Sequence, residues 1–251
     1  MANTIDWGQG AVNNTNGFGK APTNNTIDFG EVCADSWSPE TNLVGGSSFS
    51  NTQSTEYDGI DAYVSLNTIS LTSAFSISAW VKFSTLASAE SHIINTGTSN
   101  TNRIGVYSST AFQVKIAGTN VFISETGGND FVTNQWQHVL ITRDASNNVN
   151  VFRNGSSFGS STTLSGTLTL DSIFRFNTSQ YALGYCDELA IWDSDQSANA
   201  STFGASPVDL STYSPLHWYR FEGTGTTATD SGSGGNNGTL NGVTRSTDVP
   251  T

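Results

Sequence analysis

The stretch Trp136–Ser156, WQHVLITRDASNNVNVFRNGS, predicts a β-hairpin. In the first arm the side chains alternate between two faces, with the period of a pleated strand: Gln137, Val139 and Ile141 on one, Trp136, His138, Leu140 and Thr142 on the other. In the second arm, Val149 and Val151 share one face. The polar residues 144–148 favour a loop between the arms. Asn154-Gly155 is typical of a type I′ turn, so a further strand is expected to follow.

This order of residues, W-x-H-V-x-x-T-x-D, a short loop and V-x-V-x-x-N-G, resembles the laminin-G-like domains of the concanavalin-like jelly rolls. Three further segments resemble the other motifs of that family and follow in its order: YDGIDAYV at Tyr57–Val64, FSISAWVKF at Phe75–Phe83 and GYCDELAIW at Gly184–Trp192. The resemblance covers about residues 43–204 and implies an all-β fold, a two-layer antiparallel jelly-roll sandwich. Turn signals between the motifs agree with many short strands, and residues 195–205 are the one predicted helical segment.

The C-terminal segment 217–240 resembles a sequence that precedes the first strand in many laminin-G-like domains, but here it follows the other motifs. This order predicts that the last strands occupy the place usually taken by the first. A truncated second domain is the alternative, although about forty residues are too few to bury a core alone. We therefore predict an arm at 1–38 and one jelly-roll domain at 39–251 that includes the C-terminal strands.

Composition excludes several classes of function. The 251 residues include 9 basic and 21 acidic side chains, a net charge of −12, and no basic run that would neutralise nucleic-acid phosphates. The sequence has no run of 18 apolar residues, so no membrane insertion is predicted. The first residues lack the pattern of a signal peptide, and synthesis in a cytoplasm is therefore expected. Cys33 and Cys186 have no metal-ligand spacing. They predict two buried thiols, with a single disulfide as the alternative.

The first residues form a repeat of about eleven residues: NTIDWGQGAVN from Asn3, NTNGFGKAPTN from Asn14 and NTIDFGEVCAD from Asn25. With one aromatic residue per copy, the arm cannot build a core of its own, so its aromatics are expected to contact other copies or a docking protein. The predicted oligomerisation or docking residues are Trp7, Gly8, Phe18, Gly19, Phe29 and Gly30. A homotrimer is the expected oligomer. A tail with accidental periodicity is the alternative.

The arm also resembles the N-terminal arms of structural proteins from tailed bacteriophages, in which laminin-G-like domains are common cargo. This resemblance implies a virion structural protein, either a head fibre or decoration protein or a component of a tail fibre. Such a protein would bind other virion proteins through the arm. The sandwich would then mediate adhesion to the host surface or to a glycan. Two alternatives stay open: a purely architectural virion protein without a ligand, and a carbohydrate-binding module of a polysaccharide-processing system.

No catalytic site or cofactor is predicted. The glycosidase pattern E-x-D-x-x-E is absent, and Asp187 and Glu188 are adjacent, so they are expected on opposite faces of a strand. The histidines, His92, His138 and His217, lack ligand spacing. Asp58, Asp61 and Asp187 match positions that are acidic in the family, where calcium is sometimes held. Because such residues also form turns and cap strands, none is assigned as a ligand.

Glycan binding, which the resemblance implies, requires exposed aromatic rings and amides. The candidates are the loop Gly97–Asn102 and the aromatics Trp80, Tyr107 and Tyr181. Each of these aromatics could instead belong to the core, because strands in a sandwich carry large residues on both faces.

Overall fold

The computed structural model describes residues 49–86 and 91–251. Phe49–Thr251 form one compact unit built around two antiparallel sheets. The repeat arm, with Trp7, Gly8, Phe18, Gly19, Phe29 and Gly30, lies outside the described residues, as does Cys33. No helix in the described ranges is both long and apolar enough to cross a membrane.

The first sheet has nine strands: β1 (Ser54–Asp58), β3 (Phe75–Phe83), β8 (Gln137–Arg143), β9 (Asn148–Arg153), β10 (Ser156–Ser157), β11 (Thr162–Thr163), β15 (Leu183–Trp192), β16 (His217–Tyr219) and β19 (Thr244–Ser246). The second has eight: β2 (Tyr63–Leu71), β4 (His92–Asn95), β5 (Arg103–Ser108), β6 (Ala111–Ile116), β7 (Thr119–Ser124), β12 (Leu168–Ile173), β17 (Thr227–Ala228) and β18 (Gly238–Asn241). A short hairpin of β13 (Arg175–Phe176) and β14 (Gln180–Tyr181) stands apart.

The strand order is β10-β9-β8-β3-β15-β1-β19 in the first sheet and β17-β18-β2-β12-β4-β5-β6-β7 in the second. Alternate residues of both sheets point into one shared core, which includes Ile77, Val139 and Ile191 from the first sheet and Ile104 and Val114 from the second. All are at most 1% exposed, and each such side chain stabilises the fold by roughly 1.5–3 kcal/mol. The predicted all-β jelly-roll sandwich is confirmed.

The predicted hairpin consists of β8 and β9, which pair from Val139↔Arg153 to Arg143↔Val149. Its loop is held by Asp144 Oδ1, which accepts hydrogen bonds from the backbone N–H groups of Ser146 and Asn148, both at 2.8 Å. The next turn has φ values of 47° at Asn154 and 78° at Gly155, as a type I′ turn requires, and leads into β10.

Strand β15 departs from the sequence prediction at Asp187 and Glu188. A β-bulge shifts its register against β3 between Asp187 and Ala190, and Glu188 has a φ of 47°. Asp187 lies opposite Trp80, while Glu188 lines a cavity with Trp80 and His138, which also lie on the outer side of this sheet. The expectation that the two carboxyl groups face opposite sides is therefore wrong, because the extra residue of the bulge breaks the alternation.

Short helical segments cover part of the outer face of the first sheet. They comprise two 3₁₀ turns, Ser197–Asn199 and Leu210–Tyr213, and one helix, α1 (Ala200–Ala205). Phe203 of α1 stacks on Trp192 with ring centroids 5.5 Å apart, and both side chains are at most 1% exposed. The turn at Leu210–Tyr213 was not predicted, because its four residues are too few to show a helical period.

The C-terminal strands belong to both layers. Strand β18 pairs with β2 in the second sheet, and β19 pairs with β1 in the first. The last residues of the chain thus extend the same two sheets that the earlier motifs build. Cys186 is a free, fully buried thiol in the shared core, as the sequence predicted for this cysteine.

Candidate functional site

An exposed pair of aromatic rings marks the outer face of the second sheet. Tyr107 of β5 is 42% exposed and Phe122 of β7 is 46% exposed. Their ring centroids lie 4.6 Å apart at an interplanar angle of 65°. Within the described ranges, these are the two aromatic side chains among the large exposed hydrophobic residues, the others being Ile60 and Val132.

The register of two hairpins places these rings outside. Val106 is in the core, so its neighbour Tyr107 points outward. Ala117 and Gly118, with φ values of 49° and 87°, form the tight turn that joins β6 to β7. That turn pairs Ile116 with Thr119, and as a result Val121 and Ile123 face the core while Phe122 faces solvent.

Polar side chains surround the two rings. Gln113 pairs with Phe122 in the ladder, its Nε2 donates to Asn120 Oδ1 at 2.7 Å, and its Oε1 has no hydrogen-bond partner among the described residues. Lys115 Nζ donates to Asn100 Oδ1 at 2.8 Å. We call this surface the open face and define it by five residues, Tyr107, Gln113, Lys115, Asn120 and Phe122.

The chemistry of the open face suits a sugar. Aromatic rings offer apolar planes to the C–H faces of a pyranose, and amide groups accept and donate hydrogen bonds to its hydroxyls. The exposed amide of Asn120, which Gln113 Nε2 holds in place, supplies these groups near the Tyr107–Phe122 pair.

The structure brings together some of the predicted candidates. Tyr107 lies on the open face, and the loop Gly97–Asn102 reaches it through the bond from Lys115 to Asn100. Trp80 does not belong to it: its side chain is 7% exposed on the first sheet and packs against His138, with ring centroids 5.3 Å apart. Tyr181 is half-buried on β14, 6.2 Å from the ring of Tyr63.

Phe122, Gln113 and Lys115 were missed by the sequence analysis. The segment V-F-I at 121–123 has three consecutive apolar residues. Because polar and apolar residues do not alternate there, the sequence does not show which of the three side chains faces solvent. The signal was the Ala117-Gly118 turn, since a two-residue turn fixes the register and thereby the face of every following residue.

A second group of aromatic and charged side chains lies on the first sheet. Trp136 and Tyr185 have ring centroids 6.1 Å apart, and Lys82 lies over the Tyr185 ring at 5.1 Å. Asp248 accepts hydrogen bonds from Trp136 Nε1 and Lys82 Nζ, and Glu56 accepts one from the Tyr185 hydroxyl. These groups bind one another, so the surface offers fewer free polar atoms to a ligand than the open face.

Asp58, one of the acidic positions that resemble calcium ligands, has a structural role. Asp58 Oδ1 accepts hydrogen bonds from the backbone N–H groups of Ile60, Asp61 and Ala62. Burial opposes ionisation, but the backbone hydrogen bonds together outweigh it and lower the pKa of Asp58. Within the described ranges, no group of three or more His, Cys, Asp or Glu side chains could hold a metal ion.

The groups that could serve in catalysis are buried. Burial raises the pKa of Asp187 well above its ordinary value and that of Glu188 to about 7. Burial also lowers the pKa of His138 to about 3, and its Nε2 lies 2.7 Å from Ser78 Oγ. The cavity that these residues line measures about 10 Å³, which is room for at most one water molecule.

The other two histidines also have structural surroundings. His217 Nδ1 lies 2.7 Å from Asp230 Oδ2, and Asp230 in turn organises the following loop. His92 is fully buried, with its ring 5.4 Å from that of Phe176.

Several solved structures are similar to this chain. A candidate carbohydrate-binding protein from Bacteroides ovatus is similar at 20% identity and a TM-score of 0.61, over 80% of this chain and 62% of its own. A heptameric pentraxin from Limulus polyphemus is similar at 15% identity and a TM-score of 0.49, over 62% of this chain and 82% of its own. Domain 4 of an extracellular arabinanase from Geobacillus stearothermophilus, solved with arabinotriose, is similar at 18% identity and a TM-score of 0.42, over 53% of this chain and 68% of its own.

This chain therefore spans less than two thirds of the Bacteroides protein. A search of curated protein sequences found no match. The family model that describes the concanavalin A-like lectin/glucanases superfamily, in its laminin-G-like branch, matches residues 58–200. The matched residues include the Tyr57–Val64 motif from Asp58 onward and all the strands from β2 to β15, so the chain belongs to this superfamily.

Proposed function

We propose that this domain binds glycans through the open face. The observation that carries the proposal is the exposed Tyr107–Phe122 pair, whose ring centroids lie 4.6 Å apart, together with the exposed amide of Asn120 nearby. Exposing two aromatic rings forgoes the stabilisation that their burial would give, and a polar rim of amides around them is the usual composition of a sugar-binding surface.

A flat surface of this kind binds one sugar weakly. Each ring buries only part of a sugar, and the amides exchange hydrogen bonds with water for bonds with hydroxyls at a small net gain of roughly 0.5–1.5 kcal/mol each. Display of many copies would raise the effective affinity by roughly 10²–10⁴ without new contacts. The proposed mechanism is thus adhesion through many weak contacts.

A glycan array tests the proposal. Tyr107→Ala and Phe122→Ala should each weaken binding to any bound glycan by about tenfold, because each removes one stacking plane. Ile60→Ala is the matched control, since Ile60 is 74% exposed and lies outside the open face. Equal binding by wild type and both aromatic variants would refute the proposal, as would an array on which the folded wild-type protein binds nothing.

We propose binding rather than catalysis as the activity of the sandwich. The support is the burial of Asp187 and Glu188, whose side chains are at most 2% exposed, and the small size of the adjoining cavity. A substrate could reach these carboxyl groups only after the segment around α1 had moved away. Incubation with polysaccharides that the array identifies should release no reducing ends.

We further propose that the protein is a virion component that displays this domain on a bacteriophage head or tail. The support is the N-terminal repeat, in which Trp7-Gly8, Phe18-Gly19 and Phe29-Gly30 recur at intervals of eleven residues. In this proposal the six residues form the contact between three copies, or the contact with another virion protein.

Light scattering tests the arm. A solution mass near three times 26.6 kDa is expected for the full chain, and a monomer is expected after deletion of residues 1–38. An unchanged oligomeric state after the deletion would contradict this role. The competing proposal, a carbohydrate-binding module of a polysaccharide-processing system, shares the open face and predicts that the protein copurifies with glycan-degrading enzymes and not with virions.

A further inference from the structure

Three basic side chains gather on the outer face of the second sheet without an acidic partner. Arg103 lies on β5, Lys115 on β6 and Arg175 on the β13–β14 hairpin. None of them forms an ion pair with a described residue. We call these three residues the cationic cluster. The sequence showed no basic patch, because the three lie 12 and 60 positions apart along the chain.

Arg103 is the most unusual member of the cluster. The residue is 7% exposed, and its guanidinium lies 4.7 Å from the centre of the Phe176 ring. Its Nε and Nη2 are buried and have no hydrogen-bond partner among the described residues. Burial lowers the pKa of Arg103 to about 10, so it stays positively charged at neutral pH. A buried guanidinium without acceptors is costly unless an anion binds it.

Lys115 lies beside Arg103, and Arg175 is linked to the same region through its backbone. Lys115 is its direct partner in the β5–β6 ladder, an arrangement that places two positive charges opposite each other. On the other side Arg103 pairs with Asn95, whose side-chain amide donates to the carbonyl oxygen of Arg175. The Arg175 guanidinium stacks over the Tyr63 ring at 3.7 Å, and its Nε also lacks a partner in the described part of the chain.

The other described basic residues have an acidic partner or donate hydrogen bonds to oxygen atoms, although the buried Nε of Arg245 has no partner among the described residues. Lys82 pairs with Asp248, and Arg220 pairs with Glu188. The remaining arginines donate to carbonyl or amide oxygens, namely Arg143, Arg153 and Arg245. In a chain with a net charge of −12, Arg103 and Lys115 are two neighbouring cations that form no ion pair with a described residue.

We propose that the ligand of this face is an anionic glycan, one that carries carboxylate or sulfate groups. This inference rests on the proposed function and specifies its ligand. Lys115 belongs to both the open face and the cationic cluster. Tyr107 lies on the same strand as Arg103 and four residues along it, which is about 13 Å and comparable to the length of two or three sugar units. The aromatic rings would then stack on the sugars while the cluster binds the acidic groups.

The acidity of the whole protein does not prevent this contact. At physiological ionic strength the Debye length is about 8 Å, so charges on other parts of the surface are largely screened. A carboxylate in contact with the cluster interacts chiefly with Arg103, Lys115 and Arg175. Charge-assisted hydrogen bonds to guanidinium groups are about twice as strong as neutral ones.

Two polymer pairs that differ only in charge test the inference by affinity electrophoresis. Polygalacturonate is compared with its methyl ester, which tests carboxylate, and dextran sulfate is compared with dextran, which tests sulfate. At least one charged member should retard the full-length protein about tenfold more strongly than its neutral counterpart, and the difference should shrink as NaCl is raised. Lys115→Gln should reduce this retardation about fivefold or more.

Lys82→Gln is the matched control, because it removes the same charge from the first sheet, and it should change retardation less than about twofold. Arg175→Gln provides a second variant, and Arg103→Gln is included only if its thermal unfolding matches that of wild type. Equal losses in Lys82→Gln and Lys115→Gln would overturn the inference, since overall charge would then explain the binding. Equal retardation by the charged and neutral members of both pairs would also overturn it, while leaving glycan binding intact.

If neither charged polymer retards the protein, the inference is overturned as well. The array with Tyr107→Ala would then decide the proposed function separately. A single-stranded DNA oligomer serves as a further arm. Equally tight binding of that oligomer would show that the cluster recognises phosphates rather than acidic sugars, and would therefore contradict the proposal.

Discussion

The carboxylate of Asp230 stabilises the C-terminal loop through several hydrogen bonds. Its carboxylate oxygens lie 2.7 Å from His217 Nδ1 and accept 2.8 Å bonds from the backbone N–H groups of Trp218, Gly232 and Asn236. We expect Asp230→Ala to lower the free energy of unfolding by about 3 kcal/mol or more, because it leaves several buried donors unpaired.

Urea denaturation measures this loss. Asp209→Ala is the control, since Asp209 is exposed and its side chain accepts one backbone bond, from Ser211, at the start of a 3₁₀ turn. That change should cost about 1 kcal/mol. Equal losses in the two variants would show that the carboxylate of Asp230 does not organise the loop.

Glu188 should make stability depend on pH. Burial raises its pKa to about 7, against the opposing effects of Arg220 and of the hydrogen bond from Trp218 Nε1. A carboxyl group whose pKa is higher in the folded than in the unfolded state stabilises the fold at low pH. The contribution of Glu188 to the free energy of unfolding should therefore fall, by on the order of 1–3 kcal/mol, as pH rises from about 4.5 to about 7. The contribution of His138, whose pKa burial lowers to about 3, rises as pH increases from about 3 to about 6.5.

Urea titrations of wild type and Glu188→Gln at pH 5 and pH 7.5 measure this effect. From pH 5 to pH 7.5 the free energy of unfolding of wild type should fall relative to that of the variant, because glutamine does not titrate while the contribution of His138 is common to both proteins. The carboxyl groups with lowered pKa, such as Asp58 and Asp230, act below pH 4 and do not disturb the comparison. An identical pH dependence in both proteins would contradict the raised pKa.

Single residues also show where sequence reasoning reaches its limit. Tyr107 could be named as a candidate, but its exposure could not be separated from that of Trp80. Tyr107 and Trp80 are both large side chains on alternating strands. Their exposure differs because α1 covers the outer face of the first sheet and not that of the second. The unpaired state of Arg103 depends on neighbours from four different segments and has no local signature.

Helix α1 is fixed by contact with the β9–β10 turn. Gly204 lies against the backbone of Asn154 and Gly155, so that a Cβ at this position would overlap Gly155 N. Helix propensity favours alanine over glycine by about 1 kcal/mol. We nevertheless expect Gly204→Ala to lower the melting temperature by several degrees, because the helix must move away from the sheet to accommodate the methyl group.

Thr202→Ala is the control in the same helix, because Thr202 is exposed and the change should leave the melting temperature the same or slightly higher. Differential scanning calorimetry compares the variants. A stabilising effect of Gly204→Ala would show that the helix does not pack against this turn.

Among the elements, the β8–β9 hairpin could be predicted and the bulge in β15 could not. The hairpin has its own alternation and its own turn residues, so the local sequence determines it. The bulge at Asp187 and Glu188 follows from pairing with β3, more than a hundred residues away, and from the partners Trp218 and Arg220. That is why the two acids were wrongly expected on opposite faces.

Across the whole molecule, the two C-terminal strands complete sheets that begin near residue 54. Strand β18 extends the second sheet beside β2, and β19 extends the first sheet beside β1. The position of segment 217–240 after the other motifs predicted that the last strands take the place of the first, because the two ends of a sandwich chain lie close together. The partners β1 and β2 were not predicted. The ligand surface could not be inferred, because it combines β5, β6, β7 and a distant hairpin.

A chain that ends at residue 236 should therefore lose cooperative unfolding, since it lacks core residue Leu240 and exposes the edges of β1 and β2. Residues 49–251 should unfold in one transition when produced alone. Circular dichroism during heating distinguishes the two. A cooperative transition in the shortened chain would show that the C-terminal strands are dispensable to the sandwich.

The central claim is that the outer face of the second sheet binds the glycan. NMR of protein with labelled aromatic side chains, titrated with the glycan that binds most tightly on the array, tests this claim most directly. The ring signals of Tyr107 and Phe122 should shift in proportion to occupancy, while those of Trp136 and Tyr185 on the first sheet stay unchanged. Shifts confined to Trp136 and Tyr185 would place the ligand on the opposite face and contradict the account.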